Sequence, residues 1–236
     1  MPKFVWADLS TYNTRHSRSF YEAVFGWKFY DASDYFVAML GSNEIAGLFE
    51  TPAFFQKIKM PHFWMSYIAV GDAMQVAETA KGFAGAKVEL TDDFYDGKVA
   101  LIRDPQGAGF TVYDGGKLDS RKLDTGHLVW NELHVSDASQ VLPFYEQLFG
   151  WTMRPGKEEG QYGAFDSQEH VANILVIPNE MKGEYEYWVC TFAVDDLAEA
   201  KAKIQAHGGG VISDEGHRIM MHDDSGEAFF YIQSQS

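Results

Sequence analysis

The sequence predicts an α+β fold built as two tandem copies of one domain, and three observations carry that expectation. The chain has 236 residues, 46% apolar and 15% aromatic, which exceeds the ~100–150 residues of one typical domain. A pattern repeats at an offset of 124: Val5-Trp6 returns as Val129-Trp130, and Phe20-Tyr21-Glu22 with Phe25-Gly26-Trp27 returns as Phe144-Tyr145-Glu146 with Phe149-Gly150-Trp151. Within each half, a strand, a helix and further strands follow one another twice.

The elements read in order as follows. Phe4 to Leu9 alternates as a strand, Asn13 caps a helix with Phe20, Val24 and Phe25 on its apolar face, and Gly26 stops it. The second unit takes Tyr67 to Val70 as strand, Asp72 as cap and Ala73, Val76, Ala77 and Ala80 at helical spacing. Val99 to Ile102 then turns through Asp104-Pro105-Gln106-Gly107 into Gly109 to Tyr113. In the second half, Asp137 caps a helix with Phe144, Leu148 and Phe149 on its face and Gly150 as its stop. Pro143 must lie in the first turn of that helix or bend it. Trp188, Ala193, Val194 and Asp196 match Trp64, Ala69, Val70 and Asp72, and Leu197, Ala200 and Ile204 give the last helix face. Arg218 to Met221 turns through Asp223-Asp224-Ser225-Gly226 into Ala228 to Gln233, at an offset of 119 from the first half. The polar, glycine-bearing stretch from Asp114 to Lys122 marks the boundary, giving domains at 1–116 and 127–236 with a linker at 117–126.

Composition narrows the partners. With 34 acidic and 19 basic residues the net charge is −15, of which residues 1–123 carry −2 and residues 124–236 carry −13. A field of that sign repels phosphate backbones and anionic membranes, so neither nucleic acid nor membrane is an expected partner. Cys190 is the sole cysteine, which excludes an intrachain disulfide and a thiolate cluster and fits a reducing compartment. No apolar run nears the ~20 residues that span a bilayer, and the start MPKFVWADL lacks the features of a signal peptide, so a soluble cytoplasmic protein is expected.

The paired FYExxFGW blocks, the W-x-x-x-x-A-V-x-D segments and the D-P-Q-G-A-x-F turn resemble the vicinal oxygen chelate superfamily of glyoxalases, bleomycin resistance proteins and extradiol dioxygenases, and within it the two-domain lactoylglutathione lyase-like proteins. The resemblance implies four βαβββ modules forming two tandem glyoxalase-like domains, each a curled mixed-sheet cup. It also implies a divalent metal held by His and Glu, yet the positions it assigns to those ligands hold Trp6, Met65, Trp130, Val189, Thr111 and Phe230. No cofactor is therefore expected. The alternative is an improvised metal site of His134, Glu132, His217 and His222.

Strand alternation places Trp6, Asp8 and Ser10 in the first cup and Trp130, Glu132 and His134 in the second, with Tyr67 and Thr191 on facing strands. Leu9, Ile68, Leu133, Val135 and Phe192 should face the helices. Asp8 and Glu132 either bind a ligand or organise the cup mouth. His134 is the candidate general base beside Glu132, or a strand-end side chain in water. Trp6 and Trp130 either stack on a planar or cationic molecule or plug the cups. His16, His62, His127, His170 and His207 should face solvent, and Cys190 should be a buried hydrophobe. Trp6, Asp8, Tyr67, Trp130, Glu132 and His134 are thus the candidate ligand-binding set, with Glu132 and His134 the catalytic candidates. Two functions follow: a monomeric pseudo-dimer or homodimer that binds a small organic molecule, aromatic or cationic, or a lyase, isomerase or dioxygenase with an atypical metal. A degenerate scaffold with both cups plugged by tryptophan is a third reading.

Overall fold

A computed structural model describes residues 2–178, 180 and 186–234. The first module comprises β1 (Lys3–Thr11), α1 (Thr14–Phe25), β2 (Lys28–Asp31), β3 (Tyr35–Leu40) and β4 (Asn43–Glu50), and a short α2 (Ala53–Lys57) follows it. The second comprises β5 (Phe63–Ala69), α3 (Ala73–Ala80), β6 (Lys87–Phe94), β7 (Gly97–Arg103) and β8 (Gly109–Tyr113). The third comprises β9 (Leu128–Val135), α4 (Ala138–Phe149), β10 (Thr152–Pro155), β11 (Gln161–Asp166) and β12 (Glu169–Val176). The fourth comprises β13 (Tyr187–Val194), α5 (Leu197–Ala206), β14 (Gly210–Asp214), β15 (Arg218–His222) and β16 (Phe229–Ser234). The strands form two open eight-stranded mixed sheets, ordered β2-β3-β4-β1-β5-β8-β7-β6 and β10-β11-β12-β9-β13-β16-β15-β14. In each module the opening strand pairs parallel with the closing one, as Asp8 with Gly47 and Glu132 with Asn173, and the remaining pairs are antiparallel hairpins.

The capping chemistry is as the sequence requires. Asn13 Oδ1 accepts from His16 N, Asp72 from Gln75 N, Asp137 from Ser139 N and Asp196 from Glu199 N. Gly26 and Gly150 end their helices at φ 73° and 70°, left-handed angles that cost glycine no steric strain. Pro143 is not in the first turn: it is the sixth residue of α4. It sits on the exposed face, where water can satisfy the Ser139 carbonyl that its missing N–H leaves without a helix donor.

Packing forms two compact units, residues 1–5, 66–118 and 130–189 in one, and residues 6–65, 119–129 and 190–236 in the other. Each takes one module from each half of the sequence. In the first unit α3 packs with α4 over a core that includes Ile68, Phe110, Leu133, Val135, Phe144 and Trp188. In the second, α1 packs with α5 over Leu9, Phe20, Trp27, Trp64, Phe192 and Phe230, with Cys190 buried among them.

The repeated motif explains why these modules pair. Tyr145, from the second FYExxFGW block, donates to Asp104 Oδ2 of the D-P-Q-G turn at 3.0 Å and accepts from Trp188 Nε1 at 3.0 Å. Tyr21 does the same with Asp223 Oδ2 at 3.2 Å and Trp64 Nε1 at 3.0 Å. Each motif therefore reaches the turn of a module from the other sequence half. Both carboxyls are buried. Burial pushes Asp104 up to about 6 against the backbone N–H groups of Gln106 and Ala108, which favour its charged form, and it raises Asp223 as well.

Candidate functional site

The second domain's candidates come together on β9. Alternation aims Trp130, Glu132 and His134 to one side, and His134 Nε2 stands 2.7 Å from Glu132 Oε1. Their side chains are each 4% exposed, so the reading of His134 as a strand-end residue in water is corrected. Its strand lies inside the sheet, between β12 and β13. A carboxylate can only accept, so the imidazole presents Nε2–H to Glu132. Asn173, in register on β12, donates to Glu132 Oε2 at 3.4 Å. Tyr187 packs against His134 with ring centroids 5.3 Å apart, and burial, then the charges of Glu186 and Glu132, push its phenol up to about 12. Tyr187 therefore stays a neutral donor at physiological pH. The Glu186 carboxylate is held by the backbone and hydroxyl of Ser136 at 3.1 and 2.5 Å.

Trp130 is half-buried and begins a ladder of rings. His170 meets it edge-on at 4.8 Å and stacks on Phe165 at 4.6 Å, and Arg154 lies 4.2 Å over the Phe165 ring. His170 lies in β12 and, though exposed, packs against two aromatic rings.

The first domain's candidates close on one another. Trp6 Nε1 donates to Asp8 Oδ1 at 2.7 Å, and Tyr35 donates to the same oxygen at 2.5 Å and accepts from Trp6 Nε1 at 2.9 Å. Trp6 is 0% and Asp8 1% exposed. Tyr35 reaches them across Gly47, where a Cβ would stand 1.8 Å from the Tyr35 oxygen and 2.0 Å from Asp8 Oδ1. Gly47→Ala is therefore expected to lower stability by about 1–3 kcal/mol, measured by urea denaturation, and Tyr35→Ala in the same chain should relieve part of that loss. Tyr67 packs on Phe94 at 6.0 Å and lies in register with Thr111.

The remaining histidines each have their own local setting. His222 and His217 place Nδ1 against the carbonyls of Asp223 and Glu215. His127, expected in solvent, is 3% exposed because the linker is packed: Gly126 N donates to Ala193 O, and Arg121 Nε to Val129 O. His62 is also largely covered, whereas His16 and His207 are exposed.

One position shifts. Asp104 N bonds Ala108 O across the first turn, but Asp223 N bonds Ala228 O across the second, so the second turn is one residue longer. The offset beyond it is 120, and Thr111 corresponds to Tyr231. The registers Tyr67 with Thr111 and Thr191 with Tyr231 agree with this. Phe230, assigned to the cup from sequence, faces the helix-side core against Tyr21 and Phe192. Tyr231 takes its place and donates to Glu215 Oε1 at 3.0 Å.

Comparison with known proteins completes the picture. The family described as Glyoxalase/Bleomycin resistance protein/Dioxygenase superfamily matches residues 3–112 and again 126–225. The chain belongs to that superfamily. It is 29% identical over 248 residues to "Putative glyoxylase CFP32" of Mycobacterium bovis, covering 97% of this chain and 93% of that protein. It is 25% identical over 257 residues to the anthracycline biosynthesis protein DauV of a Streptomyces species, covering 97% and 92%. The Mn(II)-bound glyoxalase of Novosphingobium aromaticivorans superposes with a TM-score of 0.65 at 12% identity, over 99% of this chain and 82% of that one.

The donors here do not fit such a metal. The positions that the superfamily resemblance assigns to ligands carry Trp6, Met65 and Thr111 in one domain and Trp130, Val189 and Tyr231 in the other. None is a carboxylate, imidazole or thiolate. Among the described residues no three His, Cys, Asp or Glu side chains gather as a metal-binding group.

Proposed function

We propose that the chain binds a small aromatic, cationic organic molecule in its second domain without using the superfamily's metal. The observation that carries this reading is the buried Glu132–His134 pair two and four residues along β9 from the half-buried Trp130. Trp130 supplies a flat π-face, which attracts planar and cationic groups. Glu132, held by Asn173 and His134, supplies a carboxylate acceptor for the ligand's ammonium, and Glu186 adds negative charge beside Tyr187. The net charge of −13 over residues 124–236 draws a cation toward this half. A likeness to an anthracycline biosynthesis protein accords with an aromatic ligand.

Trp6 and Asp8 are the first domain's counterparts of Trp130 and Glu132, and Tyr67, the counterpart of Thr191, completes the ligand-binding set proposed there. The described residues include no helix long and apolar enough to cross a membrane, and a lone buried Cys190 accords with a reducing cytoplasmic setting.

Elemental analysis of protein purified without chelator or metal column tests the reading. The expected result is transition metal far below one equivalent and a melting temperature that added Mn(II), Fe(II) or Zn(II) leaves unchanged. Near-stoichiometric metal would replace the reading with a metal-dependent lyase, isomerase or dioxygenase.

A further inference from the structure

The two halves place matching residues around their buried acids. Asp8 pairs with Gly47 and Glu132 with Asn173; Val37 pairs with Gly47 and Gly163 with Asn173. Trp6, Asp8, Tyr35 and Gly47 therefore occupy the positions of Trp130, Glu132, Gln161 and Asn173. Where the second domain has Asn173 beside its acid, the first has a glycine, and Tyr35 uses the space.

We infer that Tyr35 is a built-in occupant of the first domain's ligand position. The phenol does there what a bound aromatic molecule would do. Its ring stacks on Phe49 at 6.4 Å with planes 16° apart, its hydroxyl donates to the acid, and its oxygen accepts from the tryptophan N–H. The arrangement needs Gly47, because a side chain there would overlap the Tyr35 oxygen. It also accounts for Trp6 being fully buried while its counterpart Trp130 is not. Trp6 and Tyr35 hold Asp8 through neutral donors, which satisfy a buried acid in place. The inference goes beyond the second-domain reading and stands apart from it, since Tyr35 can be an occupant whatever Trp130 binds.

Removing the ring should open the position to the same ring added from solution. p-Cresol is the tyrosine side chain without its backbone, and toluene is its control without the hydroxyl. For Tyr35→Ala, p-cresol at ten times its dissociation constant should raise the melting temperature by about 3 °C or more, and toluene should give less than a third of that. In the unsubstituted chain p-cresol should leave the Trp6 indole ¹⁵N–H resonance unmoved. Where Tyr35→Ala does not fold, Tyr35→Gln, which installs the second domain's residue, carries the test. An equal response to toluene, no p-cresol response in the folded variant, or a Trp6 shift in the unsubstituted chain would overturn the inference. Failure of the second domain to bind an aromatic cation would overturn only the functional proposal.

Discussion

Glu132→Gln is expected to weaken binding of an aromatic cation by at least about 30-fold while leaving the fold intact. Losing the carboxylate from a desolvated charge pair costs roughly 2–5 kcal/mol of affinity. Glutamine keeps the shape and leaves one oxygen to accept from His134 Nε2–H, which stands 2.7 Å from Glu132 Oε1, while its amide NH2 takes the place of Oε2 and Asn173, 3.4 Å away, can turn its own amide oxygen to accept from it. The fold should lose no more than about 1 kcal/mol. Affinity by calorimetry and melting temperature on the same samples separate the two effects. A lowered melting temperature with unchanged affinity would make Glu132 a structural acid.

The second large effect is on pH dependence. Asp104 is pushed up to about 6 by burial, whereas in the unfolded chain it titrates near 3.8. The native state therefore holds the proton more tightly. The stabilisation is complete below the unfolded value and is lost as pH rises through about 6, an effect on the order of 3 kcal/mol. Asp104→Asn cannot ionise, so its stability should fall less than that of the unsubstituted chain between pH 4 and 7.5, by up to about 3 kcal/mol. Tyr145, which donates to Asp104 in the native chain, can turn to accept from the asparagine amide. Parallel pH–stability curves would show that Asp104 titrates alike in both states.

Much of the fold was legible because its signals are local. The caps Asn13, Asp72, Asp137 and Asp196 and the stops Gly26 and Gly150 act within one turn of their helices, and all act as read. Alternation correctly sent Leu9, Ile68, Leu133, Val135 and Phe192 to the core and Glu132 to the same side as His134. The partners of those residues were not legible. Asn173, Tyr35 and Gly47 arrive through strand register across tens of residues, which a single sequence does not specify. Tyr187 could have been reached by stepping back two residues from Val189, but the start of β13 carried no turn signal to show that the strand extends so far. Tyr231 was missed for a different reason. The one extra residue in the second turn lies beside a repeated glycine and phenylalanine, so alignment by motif absorbed it, and only the Asp223 to Ala228 hydrogen bond exposes it. Tyr21 and Tyr145 were visible as motif members, but their reach to Asp223 and Asp104 depends on which modules pack together.

The most direct test of the central claim is a ¹⁵N-tryptophan NMR titration with 9-aminoacridine, a flat aromatic cation at neutral pH. The account predicts a saturable shift of the Trp130 indole resonance that Glu132→Gln weakens at least about 30-fold. A Trp130 resonance that stays in place throughout the titration, or a shift that Glu132→Gln leaves unchanged, would contradict it.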